Sequence, residues 1–250
     1  DLDDAVMYRD TLSLGRQESL SRRLRFASVV KAADWVIAGN RYLEGKVLEY
    51  TDQVSVLPTA VDLGRYSPRR WDGASGPVVM GWIGDTGSVA YLESQRELFE
   101  AIGKAVPGIV FRVLSSRFPK YRDLRVEGVP WSPEIEAETL RTFDIGVMPL
   151  PEDPWSKGKC ALKLLQYLAS GVPAVAAPVG MNADVIRHGE NGFAPTTVAG
   201  WIEAVRALSG DPELRKRLGA EGRKTVEAGY SLAVTAPRMI GILRAAANGP

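Results

Sequence analysis

KGKCALKLLQYLASGVPAVAAPVG, residues 157–180, sets two lysines at the start of a helix, the end at which the backbone already carries positive partial charge. Residues 161–169 contain neither Gly nor Pro and read as helix, Gly171 stops it, and residues 173–177 read as a buried strand. Helical spacing predicts Lys159, Lys163 and Gln166 on one face at i, i+4 and i+7, with Leu162, Leu165, Leu168 and Ala169 on the opposite, core-facing stripe. First-turn N–H groups and the macrodipole favour an anion there, so lysines at that end are unfavourable unless something negative sits between them. A phosphate satisfies both. On physics alone the alternative stays open that both lysines are solvated surface charges.

At 250 residues, 45% hydrophobic and 24% charged, the chain is long enough for one large or two small globular domains. A net charge of +1 gives no nucleic-acid footprint. One cysteine, Cys160, excludes an internal disulfide, and one histidine, His188, leaves no His/Cys cluster with zinc spacing. Both fit a cytoplasmic protein. No apolar stretch is long enough to span a bilayer. The opening Asp1-Leu-Asp-Asp-Ala-Val6 has the pattern of a strand end entering a turn, and sequence upstream of it is expected.

Along the chain, helix is predicted over 11–33, strand over 35–38, helix over 41–50 and strand over 53–57. Residues 62–77 turn to Gly, Pro, Ser and charge and read as a linker. Strands then follow at 78–83, 109–114, 124–129, 145–149, 174–177 and 192–194, with helices at 88–106, 133–142, 161–169 and 183–187. Such alternation predicts βα units, hence an α/β, Rossmann-like parallel sheet flanked by helices. The tail reads as helix over 197–208, over 211–228 with Asp211 as N-cap and Pro212 at its first position, and over 234–247.

Ligands of such sheets bind beyond the carboxyl ends of the strands. Residues 81–88, GWIGDTGS, follow one strand and open a helix; Gly84, Gly87 and Ser88 offer backbone N–H groups, though the spacing is neither a dinucleotide fingerprint nor a Walker loop. Val129 and Trp131 can supply a backbone edge and an aromatic wall to a base, or simply pack. The third loop, residues 149–159, is long, proline-rich and charged, and it delivers the lysine helix. Three loops on one edge predict a cleft.

Together these segments resemble the C-terminal, nucleotide-sugar-binding domain of GT-B glycosyltransferases, retaining family 4 (glycosyl transferases group 1). The resemblance rests on ADWVIAGN (33–40), LPTAVD (57–62), the loop 81–88 and above all KLLQYLASGVPAVA (163–176). HGENGF (188–193), DPELR (211–215) and GYS (229–231) complete it in the family's order. It implies that residues 1–62 are the end of a partial N-terminal acceptor domain, 63–77 a linker, 78–228 the donor domain and 229–250 a helix crossing back. It further implies a nucleoside diphosphate sugar as donor, an alcohol acceptor that is a saccharide or lipid-linked, possible peripheral membrane contact, and neither cofactor nor metal.

Two departures stand out. The family carries two glutamates separated by seven residues; this chain has Gln166 at the second, and counting back eight positions reaches Gly158. Gln166 is thereby assigned to the ribose as a neutral amide, and Glu152 or Asp153 of the longer loop becomes the candidate catalytic carboxylate. The family's Arg and Lys after the first donor-domain strand are also missing, which leaves Lys159 and Lys163 as the cations for the diphosphate. Asp1, Asp3 and Asp4 resemble the metal-binding Asp-x-Asp of another glycosyltransferase fold, a reading set aside because the later βα pattern offers no supporting ligands. His188 and Cys160 read as structural, and Arg22, Arg23, Arg25 and Lys31 as a solvated helix face. The expected activity is retaining sugar transfer. A GT-B sugar-nucleotide epimerase and a non-catalytic nucleotide-sugar-binding module are the alternatives.

Overall fold

The computed structural model describes residues 1–13, 16–71 and 76–247. Leu14 and Gly15 of the expected first helix, residues 72–75 of the expected linker, and residues 248–250 lie outside the described residues.

A short sheet comes first. Strands β1 (Val36–Ala38) and β2 (Val54–Val56) pair in parallel, and Leu2 bridges Ala38 on the other edge of β1. Helices α1 (Leu20–Ala32) and α2 (Arg41–Val47) cover it, burying Phe26, Val30, Leu43 and Val47. The helix expected over 11–33 is shorter than its pattern. Asp10 Oδ1 accepts from the Leu12 N–H at 2.8 Å, and Tyr8 bridges Glu18, so local side-chain and strand-like bonds hold that backbone instead.

The main sheet has six parallel strands: β3 (Val79–Ile83), β4 (Val110–Ser115), β5 (Arg125–Pro130), β6 (Ile145–Met148), β7 (Ala174–Ala176) and β8 (Gly192–Phe193), in the order β5-β4-β3-β6-β7-β8. Both faces are apolar and alternate with period 2. Met80, Trp82, Ile145, Val147 and Val175 enter one core. Val79, Ile83, Met148, Ala174 and Ala176 enter the other. Helices α4 (Arg96–Ala105) and α9 (Val198–Gly210) seal the first face; α7 (Leu162–Ala169) packs on the second, with α10 (Pro212–Gly229) behind it. Leu164, Leu165 and Leu168 of α7 are fully buried, worth about 1.5–3 kcal/mol each. Asp211 Oδ1 caps α10 at the Leu214 N–H, 2.9 Å, with Pro212 in its first turn, as the sequence predicts.

Three elements depart from expectation. The helix over 88–106 is two, α3 (Val89–Ser94) and α4, because Ser94 Oγ bonds back to the Tyr91 carbonyl and Gln95 leaves helical geometry. The loop 149–159 contains a helix, α6 (Pro154–Lys157), capped by Asp153. Leu162, expected in the core stripe, is 47% exposed. The short helices α5 (Glu136–Leu140) and α8 (Met181–Val185) and the terminal α11 (Leu232–Ala247) complete the fold. The described part of the linker is pinned to the main sheet: Arg69 pairs with buried Asp144 at 2.7 Å, and Asp144 also accepts from the Val79 N–H.

Candidate donor site at the start of α7

From β3 the chain builds outward to β4 and β5, then returns to lay β6 on the other side of β3. That reversal leaves a crevice beyond the carboxyl ends of β3 and β6, where parallel strands direct their loops. A cavity of about 310 Å³ lies there, lined by Trp82 and Ser88 from the β3 side, Pro149 and Leu150 from the β6 side, and Lys159 to Lys163 from the run into α7. Asp3 and Asp4 close it from the front segment.

Lys163 is the defining side chain. Its ammonium lies 4.5 Å from the Trp82 ring centroid and beside the backbone of Gly84, where an added Cβ would sit 2.8 Å from Nζ and 2.2 Å from the Trp82 ring. Only glycine permits that approach. Lys163 forms no ion pair among the described residues, and burial pulls its pKa down to about 8, with Asp85 drawing it up and Lys159 pushing it further down. Lys159 pairs with Asp4 at 2.9 Å and lies 4.8 Å from the Trp155 ring centroid. The start of α7 has no side-chain cap, and Ala161 before it holds φ +57°, the sole non-glycine positive φ among the described residues. That turn carries Leu162 outward. A cost of about 1–3 kcal/mol is typical for such strain. Two lysines and uncapped N–H groups around one cavity, beside the carboxylates of Asp3 and Asp4, are chemistry that can complement an anion.

The residues singled out in the sequence divide in two. Gly84, Ser88, Lys159 and Lys163 come together at the cavity. Gly87 lies exposed in the adjoining turn, which Asp85 ties by accepting from the Ser88 N–H at 2.6 Å; the Ser88 hydroxyl first, and that N–H with it, hold the Asp85 carboxyl below its usual range. Val129, one residue before the end of β5, is half-buried, and Trp131 is 46% exposed. Glu152 and Asp153 do not line the cavity. Glu152 is 76% exposed in its side chain and faces Lys157, while Asp153 is spent on the α6 cap and on Thr11 Oγ1 at 2.8 Å. Gln166 is buried, its amide donating to Tyr66 Oη at 2.9 Å and Glu136 Oε1 at 3.1 Å.

Gly158 has a steric cause. A Cβ there would meet Ala5 Cβ and N at 2.6 Å, so the front segment occupies the space of any side chain at that position. The carboxylates delivered to the cavity are instead Asp3 and Asp4 of that same segment. In the sequence Asp3 and Asp4 stood out only as an Asp-x-Asp-like set and Trp82 only as part of the 81–88 loop, because nothing in local spacing links residues 3–5 to residue 158. His188 accepts from the Ala194 N–H, and Cys160 is buried with its thiol pushed up to about 12, both in packing positions. Among the described residues no group of three His, Cys, Asp or Glu could hold a metal, and no helix is long and apolar enough to cross a membrane. A larger groove, about 840 Å³, flanks the edge strand β5; its adjacent Arg122 and Asp123 pair with each other at 2.9 Å.

Known proteins share this frame. The chain is 25% identical to a D-inositol 3-phosphate glycosyltransferase of Nocardia farcinica over 89% of its own length and 55% of that protein, so it spans about half the length of the curated relative it matches. Its fold superposes on a sucrose-phosphate synthase from Thermosynechococcus elongatus with TM-score 0.72 at 19% identity, over 94% of this chain and 63% of that one. The Anabaena protein HepE, solved in complex with UDP and glucose, gives TM-score 0.73 at 14% identity over 91% of this chain and 67% of its own. The family model described as glycosyl transferases group 1 matches residues 83–211, just over half of the sequence, from the end of β3 through the cap of α10. With that match running through the loops that build the cavity, the chain belongs to the glycosyl transferases group 1 family.

Proposed function

We propose that the cavity at the start of α7 binds the diphosphate of a nucleoside diphosphate sugar, and that the protein transfers the sugar to an alcohol acceptor, a saccharide or a lipid-linked glycan, with retention of anomeric configuration. The observation that carries this is Lys163: a partly buried cation with no ion-pair partner among the described residues, at a cavity beside glycine backbone and an uncapped helix start. As the bond between the anomeric carbon and the phosphate breaks, charge grows on the leaving diphosphate, where Lys163, Lys159 and the α7 N–H groups stabilise it. The reading assigns that task to these groups and to no metal. The acceptor oxygen must lose a proton, and Asp3 and Asp4 are the carboxylates at the cavity, Asp4 already paired with Lys159. The Anabaena structure, which holds UDP and glucose, supports UDP as the first nucleotide to try. In this reading residues 1–62 belong to an acceptor domain built largely from upstream sequence, and α11 crosses back to it.

One observation favours a second reading. Ala5 fills the space beside Gly158, and Gln166 is neutral, so the pair of carboxylates expected from the family pattern is absent; that suits a module which binds a nucleotide sugar without transferring it. Incubating the protein, extended by its upstream sequence, with UDP-, GDP- and ADP-hexoses and a panel of saccharide and polyprenyl acceptors separates the two. Product mass spectrometry and NMR of the anomeric proton should show a retained linkage. Donor binding with no product from any acceptor would favour the module.

A further inference from the structure

Gln166 does not line the phosphate cavity; its amide is committed to side chains from two other parts of the chain, Tyr66 and Glu136. Glu136, 6% exposed, accepts at Oε1 from Tyr66 Oη at 2.8 Å and from Gln166 Nε2 at 3.1 Å, and at Oε2 from Trp131 Nε1 at 2.9 Å. Arg65 lies 3.2 Å from the same carboxylate. Every neighbour is a donor, as an ionised carboxylate requires. Gln166 Nε2 also donates to Tyr66 Oη, so both amide hydrogens are used and the orientation of the amide is fixed. What remains is Oε1, which accepts from no described residue. Trp131 is in the complementary state: its N–H is tethered to Glu136 while the residue is 46% exposed.

We propose that Glu136 is a positioning residue of the donor site, holding the Gln166 carbonyl oxygen for a ribose hydroxyl and the Trp131 indole as a platform for the base of a ribonucleoside diphosphate. This rests on the donor reading above. Its placement follows from the fold: Gln166 is one helical turn beyond Lys163 on α7, and Trp131 leaves β5 at the same carboxyl edge of the sheet. A cation, then a hydroxyl acceptor, then an aromatic plate is the order of phosphate, ribose and base. The network also explains why residue 166 is Gln. A glutamate there would set a second carboxylate about 3 Å from Glu136, and one of the two would have to hold a proton. The negative charge is present, but thirty positions upstream.

The test is a charge swap read by calorimetry, with UDP, GDP, ADP and the 2′-deoxy and 3′-deoxy form of each titrated into the wild-type chain, Glu136→Gln, Gln166→Glu and the double swap. The wild-type chain should prefer the ribonucleotide it binds over one deoxy form by about fivefold, the worth of one neutral hydrogen bond of about 1 kcal/mol. Glu136→Gln should reduce that preference to within about twofold while the loss caused by Lys163→Ala persists. Gln166→Glu should bind weakly at pH 8 and recover towards pH 5, where the two carboxyls share a proton. The double swap should restore the preference at pH 8, and circular-dichroism melts confirm that each variant folds. Equal affinity for ribo and both deoxy forms in the wild-type chain, or a preference untouched by Glu136→Gln, would overturn the assignment while the diphosphate site stands. If no nucleotide binds the wild-type chain, the donor reading itself falls and the assignment with it.

Discussion

Lys163 is a charge that the folded state disfavours, which makes it titrate where an exposed lysine does not. Burial draws its pKa from 10.5 to about 8, against the opposing pull of Asp85. Between those two values the unfolded chain holds the proton and the folded chain has released it, so stability from this residue rises with pH across that window and is absent below it. Lys163→Met should abolish that rise, seen as the difference between wild-type and variant denaturation midpoints at pH 7.5 and pH 10. Ligand binding has the opposite sign. A diphosphate favours the charged form, so binding above pH 8 should take up a proton and weaken as pH rises, which calorimetry in buffers of different ionisation enthalpy detects. Lys163→Arg, always charged, should flatten the profile. Lys159 is a different case, paired with Asp4 on a more open surface. Asp4→Asn should free it and strengthen diphosphate binding at low salt, an effect fading at high salt. Both lysines were legible in the sequence as unfavourable charges at a helix start. The roles of Asp4, Trp82 and Glu136 were not, since each reaches the site through tertiary packing that the local pattern around it does not encode.

At the scale of elements, α7 is fixed to the sheet by its own second turn. Tyr167, fully buried, accepts from the Ile83 N–H at 3.1 Å, which ties the helix to the last residue of β3 and so to the loop carrying Gly84. Tyr167→Phe should leave that buried N–H unsatisfied and cost about 1–3 kcal/mol in chemical denaturation. Gly84→Ala acts from the other side. Its Cβ would force the Trp82 ring and the Lys163 ammonium apart, so nucleotide binding should fall by more than stability does, compared by calorimetry and thermal melts. The alternation of strand and helix was readable because both faces of the sheet are apolar with period 2 and Gly or Pro punctuates nearly every turn. What failed were details set by single polar atoms or by one backbone turn. Ser94 Oγ divides the helix after β3, the Asp10 carboxylate holds a turn where helix was predicted, and the left-handed Ala161 rotates Leu162 out of the core. None of these alters hydrophobic period, the signal on which the reading depended.

On the scale of the whole molecule, the front segment and the donor unit share one core. Ala5 and Met7 belong to the cluster that also contains Leu164 and Tyr167, and Thr11 and Asp10 reach Asp153 and Tyr91 across the mouth of the site. The parallel sheet, and a cleft among the loops beyond the carboxyl ends of its strands, were expected from sequence; the strand order β5-β4-β3-β6-β7-β8 was not. That residues 3–5 would occupy the position of a family carboxylate was not either, because the contact spans more than 150 residues. If the acceptor is bound by a domain formed upstream, binding and turnover should separate: residues 1–250 should hold a nucleotide and transfer no sugar, and joining the upstream sequence should restore transfer, with Asp3→Asn lowering turnover more than donor affinity. The central claim, that α7 begins at a diphosphate site, is tested most directly by titrating UDP, GDP and ADP into the wild-type chain and into Lys163→Ala at pH 7. One of these nucleotides should bind, and the substitution should weaken it by about 1.5–3 kcal/mol, the range for a hydrogen bond to a charged group. Identical affinities in the two proteins, or no binding to the wild-type chain by any of the three, would contradict it.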